Sequence, residues 1–288
     1  MYYYDYNRSW GRVARKTLYI NNVTAFGKHA LWLLILFCGF GLLGIEKTFA
    51  QVTVGSTTDA TNTNSTTLSF SHTPGAGANK LLLVAIGLGN TESNNDGSPP
   101  DISTVTFNGV PMTLVESALG LETRSVVYSL LNPAAGPANV VINTTSSTVS
   151  GGDPARINAS ATTFINVNQT TPLGTAVKVE ESGSSVGTLN LIVPSTSVND
   201  IVYSTMTVDE GGSTPTITVA GGQTTLSNQS GAGFQATHSA SSHEAGTGSS
   251  VTSTYTFTSQ DHAGIAVAIK GIVCTLPNCG TVNLVKNN

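Results

Sequence analysis

Val251-Thr252-Ser253-Thr254-Tyr255-Thr256-Phe257-Thr258 carries the pattern that decides the fold class. Val251, Ser253, Tyr255 and Phe257 share one parity, and four threonines share the other. Period two over this length describes a half-buried antiparallel strand with its threonine face toward water. Thr216-Ile217-Thr218-Val219 and the stretch 187–193 repeat the logic more briefly. Two segments differ: 81–88 (LLLVAIGL) and 264–269 (GIAVAI) are apolar on both parities. They read as central strands covered on both faces, near opposite ends of one domain. Further strands are expected at 67–71, 103–108, 112–116, 124–131, 138–144, 159–166, 175–181 and 200–208, with Gly, Pro, Asn and Asp clusters between them. No amphipathic helix is legible beyond residue 50. This spacing predicts an all-β fold, a two-sheet antiparallel β-sandwich of jelly-roll type, with one core over 66–272.

The first fifty residues read as a signal peptide. Arg8, Arg12, Arg15, Lys16 and Lys28 precede an uncharged apolar run from Ala30 to Ile45. That run is short of the roughly 20 residues a spanning helix needs. Thr48-Phe49-Ala50 offers small residues where a signal peptidase inspects, so cleavage is expected before Gln51. Retention as an anchor is the alternative. After cleavage no membrane span is expected, and the protein is read as secreted, extracellular or on the outer cell surface. Cleavage leaves six basic and 14 acidic groups, a formal charge of −8. An acidic chain without a Lys/Arg cluster excludes nucleic acid as an expected partner. The same 238 residues hold 68 Ser or Thr, three Tyr, five Phe and no Trp.

The domain boundaries follow from composition. Residues 51–65 are a polar lead-in, either a frayed strand or a linker. Residues 66–272 hold the sandwich, and 273–288 form a linker with the start of a further module. Cys274 and Cys279 bracket a Pro-Asn turn, and a local disulfide is the default in an oxidising compartment. Asn283-Leu284-Val285-Lys286-Asn287-Asn288 resembles the opening of a galactose-binding-like module of secreted enzymes and surface proteins.

Candidate chemistry is sparse, and no catalytic residue is assigned. Gly183-Ser184-Ser185-Val186-Gly187 matches G-x-S-x-G, but that motif needs a strand-to-helix turn, and here it joins two strand-like segments. His238, His243 and Glu244 fall in what reads as a long Gly/Ser loop, 227–250, without the His-Glu-x-x-His spacing of a zinc enzyme. His72 and His262 lie at strand ends and read as local hydrogen-bonding groups. The acidic loop 90–101 (NTESNNDGSPPD) could offer calcium oxygens from Asn94, Asn95, Asp96 and Asp101, although the EF-hand spacing fails. Asp209 and Glu210 form a second oxygen cluster. No cofactor is expected: ordinary solubilising turns account for both loops, and structural calcium at these carboxylates is the alternative.

Several segments together resemble a recurrent β-sandwich module of bacterial secreted and surface proteins and of phage structural proteins. They are Ser69-Phe70-Ser71-His72-Thr73, Val105-Thr106-Phe107-Asn108-Gly109-Val110-Pro111-Met112-Thr113-Leu114, Tyr128-Ser129-Leu130-Leu131-Asn132-Pro133-Ala134-Ala135-Gly136, Phe164-Ile165-Asn166-Val167-Asn168-Gln169-Thr170-Thr171-Pro172-Leu173-Gly174 and Ala266-Val267-Ala268-Ile269-Lys270. Tyr128-Ser129 stands where that module often has Trp-Tyr. The motifs themselves read as Asn-Gly and Asn-Pro turns and a Gln-Thr-Thr-Pro corner. The resemblance implies a sandwich embedded in a larger surface protein and carries no catalytic residues. The expected function is a non-catalytic extracellular module for adhesion, display or assembly, with surface glycans or other surface proteins as partners. The alternative is a carbohydrate-binding accessory domain of a larger secreted enzyme. A hydrolase in its own right would rest on Ser185 or Glu244.

Overall fold

Residues 81–88 are apolar on both parities because their strand is sandwiched on both sides. Leu81, Leu83 and Ala85 enter one core, while Leu82, Val84, Ile86 and Leu88 enter a second. The computed structural model describes residues 49–90, 97–152, 154–181, 187–208, 216–229, 237–258 and 261–273. Among these there are strands and turns but no helix.

The first half comprises β1 (Phe49–Ala50), β2 (Thr53–Thr63), β3 (Thr67–His72), β4 (Leu81–Asn90), β5 (Ile102–Phe107), β6 (Val110–Pro111), β7 (Thr113–Leu119), β8 (Arg124–Leu131), β9 (Ala138–Thr144) and β10 (Ala155–Ile165). The second comprises β11 (Val177–Glu181), β12 (Thr188–Val193), β13 (Ile201–Val208), β14 (Thr218–Val219), β15 (Thr224–Gln229), β16 (His238–Ala245), β17 (Val251–Thr256), β18 (His262–Ile269) and β19 (Ile272–Val273). Two inner sheets run β2-β10-β4-β8-β7 and β11-β18-β13-β16-β15. Two outer sheets run β3-β9-β5-β6 and β12-β17-β14, and β1 pairs with β19. All pairings are antiparallel.

Three apolar layers separate the four larger sheets. The first half's outer and inner sheets enclose Leu68, Phe107, Ile142 and the even residues of β4. The inner sheets enclose Leu83, Phe164, Tyr203 and Ile265. The second half's inner and outer sheets enclose Leu189, Met206, Ala266 and Tyr255. The antiparallel all-β sandwich architecture therefore stands, but the expectation of two sheets does not. A strand in a two-sheet sandwich is covered on one face only, so doubly apolar strands such as β4 and β18 require extra layers.

The two halves repeat one strand order. β2, β3, β4, β5, β7, β8, β9 and β10 occupy the positions of β11, β12, β13, β14, β15, β16, β17 and β18. Scattered sequence likeness accompanies the repeat. Thr67-Leu68, Pro74 and Asn79 match Thr188-Leu189, Pro194 and Asn199, while Thr106, Gly109 and Thr113-Leu114 match Thr218, Gly221 and Thr225-Leu226. Contacts between the inner sheets are reciprocal. β7 meets β11 as β15 meets β2, and β8 meets β18 as β16 meets β10. The chain is thus a tandem pair related by a pseudo-twofold, the intramolecular form of an isologous interface.

Local readings fare well where the pattern is strong. β17 buries Val251, Ser253 and Tyr255 and turns its threonines outward. Asn108 and Gly109 both have positive φ, 51° and 75°, and close the two-residue hairpin between Phe107 and Val110. Asn168 Oδ1 accepts from the N–H groups of Thr170 and Thr171 and sets the Gln-Thr-Thr-Pro corner. The polar stretch 51–65 supplies a full edge strand, since β2 pairs with β10 along its length apart from one bulge.

The inner sheets approach each other closely at Gly87 and Gly89. A Cβ on Gly87 would collide with Ser239 Oγ and Thr207 Oγ1, and one on Gly89 with the Thr237 side chain. Substituting Gly87→Val should therefore cost about 1–3 kcal/mol through overpacking. Urea denaturation checks this, and an unchanged midpoint would show that the sheets part freely.

Candidate functional site

Asp96, Asp209 and Glu210 lie outside the described residues, as do Ser185, Cys274 and Cys279. Asp101 is described, and its Oδ1 stands 2.8 Å from Arg124 Nη2 in an ion pair on the surface. Among the described residues no group of three or more His, Cys, Asp or Glu side chains is placed to hold a metal.

His238, His243 and Glu244 require a correction. They lie not in a solvated loop but on β16, which is hydrogen-bonded between β13 and β15. Ser239, Ala240, Ser241 and Ser242 are buried, as is His238. Ser and Ala show no hydrophobic alternation, so the strand is silent in sequence. Five positions apart, the two histidines point to opposite faces of the sheet, roughly 17 Å apart along the strand. Glu244 Oε1 accepts from Ser253 Oγ at 2.7 Å, and burial pushes its carboxyl pKa up.

The polar groups inside the fold serve one another. Tyr255 OH lies 2.8 Å from Ser204 Oγ and 2.9 Å from Ser242 Oγ, and Ser242 Oγ donates to Gln223 Oε1 at 2.9 Å. Burial pushes the phenol up to about 12, so it is a neutral hydroxyl. By strand register the first half has Ile142, Val84 and Tyr128 where the second has Tyr255, Ser204 and Ser242. Placing a tyrosine hydroxyl in the core between the second half's own two sheets is thus accompanied by partners, as a buried polar group demands. His72 bridges Thr58 Oγ1 at 3.0 Å and Thr163 Oγ1 at 2.8 Å, far from it in sequence rather than local to it.

Carboxylates fasten the seams. Asp261 Oδ2 accepts from the Glu122 N–H at 2.6 Å and ties the second half to the β7–β8 hairpin. Asp200 Oδ2 accepts from the Ser197 N–H at 2.8 Å, and its Oδ1 from the Gly271 N–H at 3.1 Å. On the edge of β7 the Leu119 N–H donates to Glu180 Oε1, and Lys178 Nζ donates to the Ser117 carbonyl. The Lys178 ammonium also holds the Glu180 carboxyl below the usual carboxylate range. Side chains of β11 thereby cover an edge that would otherwise offer free backbone groups. Asp261 acts across 139 residues of sequence, and Asp200 ties its own local turn at Ser197 to Gly271, 71 residues on.

The outer sheets face away from these seams. Their outward rows are Thr67–Asn143–Thr104 and Thr188–Thr256–Thr218, with Asn190 beside Thr254. Asn143 accepts from Thr67 Oγ1 and donates to Thr104 Oγ1, each at 2.8 Å, and Thr254 Oγ1 donates to Asn190 Oδ1 at 2.8 Å. No ionisable side chain lies in these rows. The chain matches no family model and no curated protein.

Proposed function

We infer that the chain is a non-catalytic extracellular β-sandwich module of a secreted or cell-surface protein, serving adhesion, display or assembly. The observation that carries this reading is the division of polar groups. Titratable side chains such as Asp200, Glu180 and Glu244 are engaged in seams and cores. The broad outer faces offer uncharged rows of hydroxyls on stiff β-branched threonines, with asparagine amides among them. The order β2-β10-β4-β8 opposite β3-β9-β5-β6 supports a jelly roll in the first half, with residues 110–119 passing from the outer to the inner sheet. The likeness to sandwich modules of surface and phage proteins points the same way. Export is read from the basic and apolar leader, and cleavage before Gln51 would remove β1 and leave β2 onward intact.

The carbohydrate-binding alternative draws on the Asn143 and Asn190 rows. Tyr203, Tyr255, Phe107 and Phe164 are fully buried, so these four offer no ring face for stacking on a sugar. A glycan would instead meet Asn and Thr. The test is binding of the secreted chain to a panel of soluble and insoluble polysaccharides, with calcium and with chelator. Saturable binding to one class, lost in Asn143→Ala or Asn190→Ala, would favour the accessory-domain reading. Absence of binding by a folded sample favours the adhesive or assembly role, and turnover of any glycan would sink the non-catalytic reading.

A further inference from the structure

The pseudo-twofold relates two flanks of the central interface that differ in chemistry. On one flank β18 faces β8 and presents Ala263, Ile265 and Val267. At the equivalent positions on the other flank, where β10 faces β16, stand Asn158, Ser160 and Thr162. Likewise Val127 of β8 corresponds to Ser241 of β16. An apolar Ile265–Val127 pairing is thus replaced by two serines, each smaller than the apolar residue it stands for and carrying a hydroxyl.

The space so released is a cavity of about 10 Å³ lined by Ser160, Ser241, Ser227, Gln229, Ala85 and Gly87. Ser160 and Ser241 are 2 % and 1 % exposed. Their Oγ atoms and Gln229 Oε1 have no hydrogen-bond partner in the protein. The Tyr203 hydroxyl lies close to Ser241 and is likewise without a hydrogen-bond partner in the protein. Gln229 Nε2 donates to the Ala159 carbonyl at 2.8 Å and to Ser227 Oγ at 3.3 Å, which fixes the amide and leaves Oε1 as an acceptor. A buried water needs roughly 10–15 Å³ and two to four polar partners, whereas apolar cavities of this kind stay dry.

We propose that this cavity is a binding site for a single ordered water that bridges the two halves. The water donates to Gln229 Oε1 and completes its hydrogen bonds with Ser160 Oγ from the first half and Ser241 Oγ from the second. The opposite flank, filled by Ile265 and Val127, holds none. The bridge gives the tandem pair a polar registration point on one side only, so the two halves are not interchangeable.

A crystal structure of the full secreted chain at atomic resolution tests this directly. One well-ordered peak is expected within hydrogen-bonding distance of Ser160, Ser241 and Gln229. An empty cavity, or serines rotated into direct bonds with protein groups, would overturn the proposal. In solution, the Ser160→Ile, Ser241→Val double variant copies the apolar flank. Magnetic relaxation dispersion should then count one fewer long-lived water than in the parent chain, and an unchanged count would also overturn it. If the double variant fails to fold, the crystallographic result alone decides.

Discussion

Replacing Phe164 by alanine should remove about 3–5 kcal/mol of stability. Phe164 is fully buried and meets the Tyr203 ring edge-on, with centroids 5.8 Å apart and planes at 82°. It belongs to the first half, whereas Tyr203, Ile201 and Ile269 in the same core belong to the second. Truncation therefore opens a cavity between the halves rather than within one, and the wall opposite is a rigid sheet that cannot collapse into it. Urea unfolding followed by far-ultraviolet circular dichroism reads the effect. A single transition shifted to lower urea is expected, because the shared core couples both halves. Two separate transitions in the parent chain would refute that coupling. Ile192→Ala is the control: Ile192 is 57 % exposed on an outer face, and its loss should fall within about 0.5 kcal/mol of neutral.

Stability should also fall steeply with acid, by about 2 kcal/mol for each of two histidines between pH 8 and pH 5. Burial lowers His72 to about 4. Burial, and then the Arg156 charge, lowers His238 to about 4. In the unfolded chain both titrate at 6.5. Because the folded pKa is depressed, the unfolded state binds more protons throughout the window from 6.5 down to about 4. Stability is complete above that window and is lost as pH falls through it. Urea midpoints measured at several pH values, for the parent chain and for His72→Gln, give the check. The variant should start lower at pH 8, having disturbed the Thr58 and Thr163 bonds, yet lose about 2 kcal/mol less on acidification. Parallel curves would mean that His72 is not the titrating group.

Much of the local structure was legible because side chains in strands report their surroundings at period two. Residues 251–258 announced a threonine face, and Asn108-Gly109 announced a tight hairpin, each for a reason internal to the segment. β16 was not legible. Its Ser-Ala-Ser-Ser run lacks hydrophobic contrast, and its burial depends on β13, β15 and the first half, none of which is adjacent in sequence. For β2 the choice between a frayed strand and a linker stayed open for a related reason: Thr, Ser and Asp in an edge strand resemble a linker when the partner strand, β10, lies about a hundred residues away. Of the carboxylates proposed as calcium ligands only Asp101 is described, and it pairs with Arg124. Asp200 and Asp261 act at seams that exist only after the strands assemble.

By itself the sequence determined an all-β chain, the inward and outward parity of its strongest strands and several of its turns, since φ preference and hydrophobic alternation are local properties. It also held, unread, the reason for more than two sheets, because β4 and β18 are apolar on both parities. Tertiary structure alone decided that the two halves stack through their inner sheets. That choice rests on Gly87 and Gly89 permitting close approach, and on serines and Asn158 meeting partners across the interface. Small residues are ambiguous in isolation: they suit a loop, an edge or a tight interface equally, and only the surface they meet distinguishes among these.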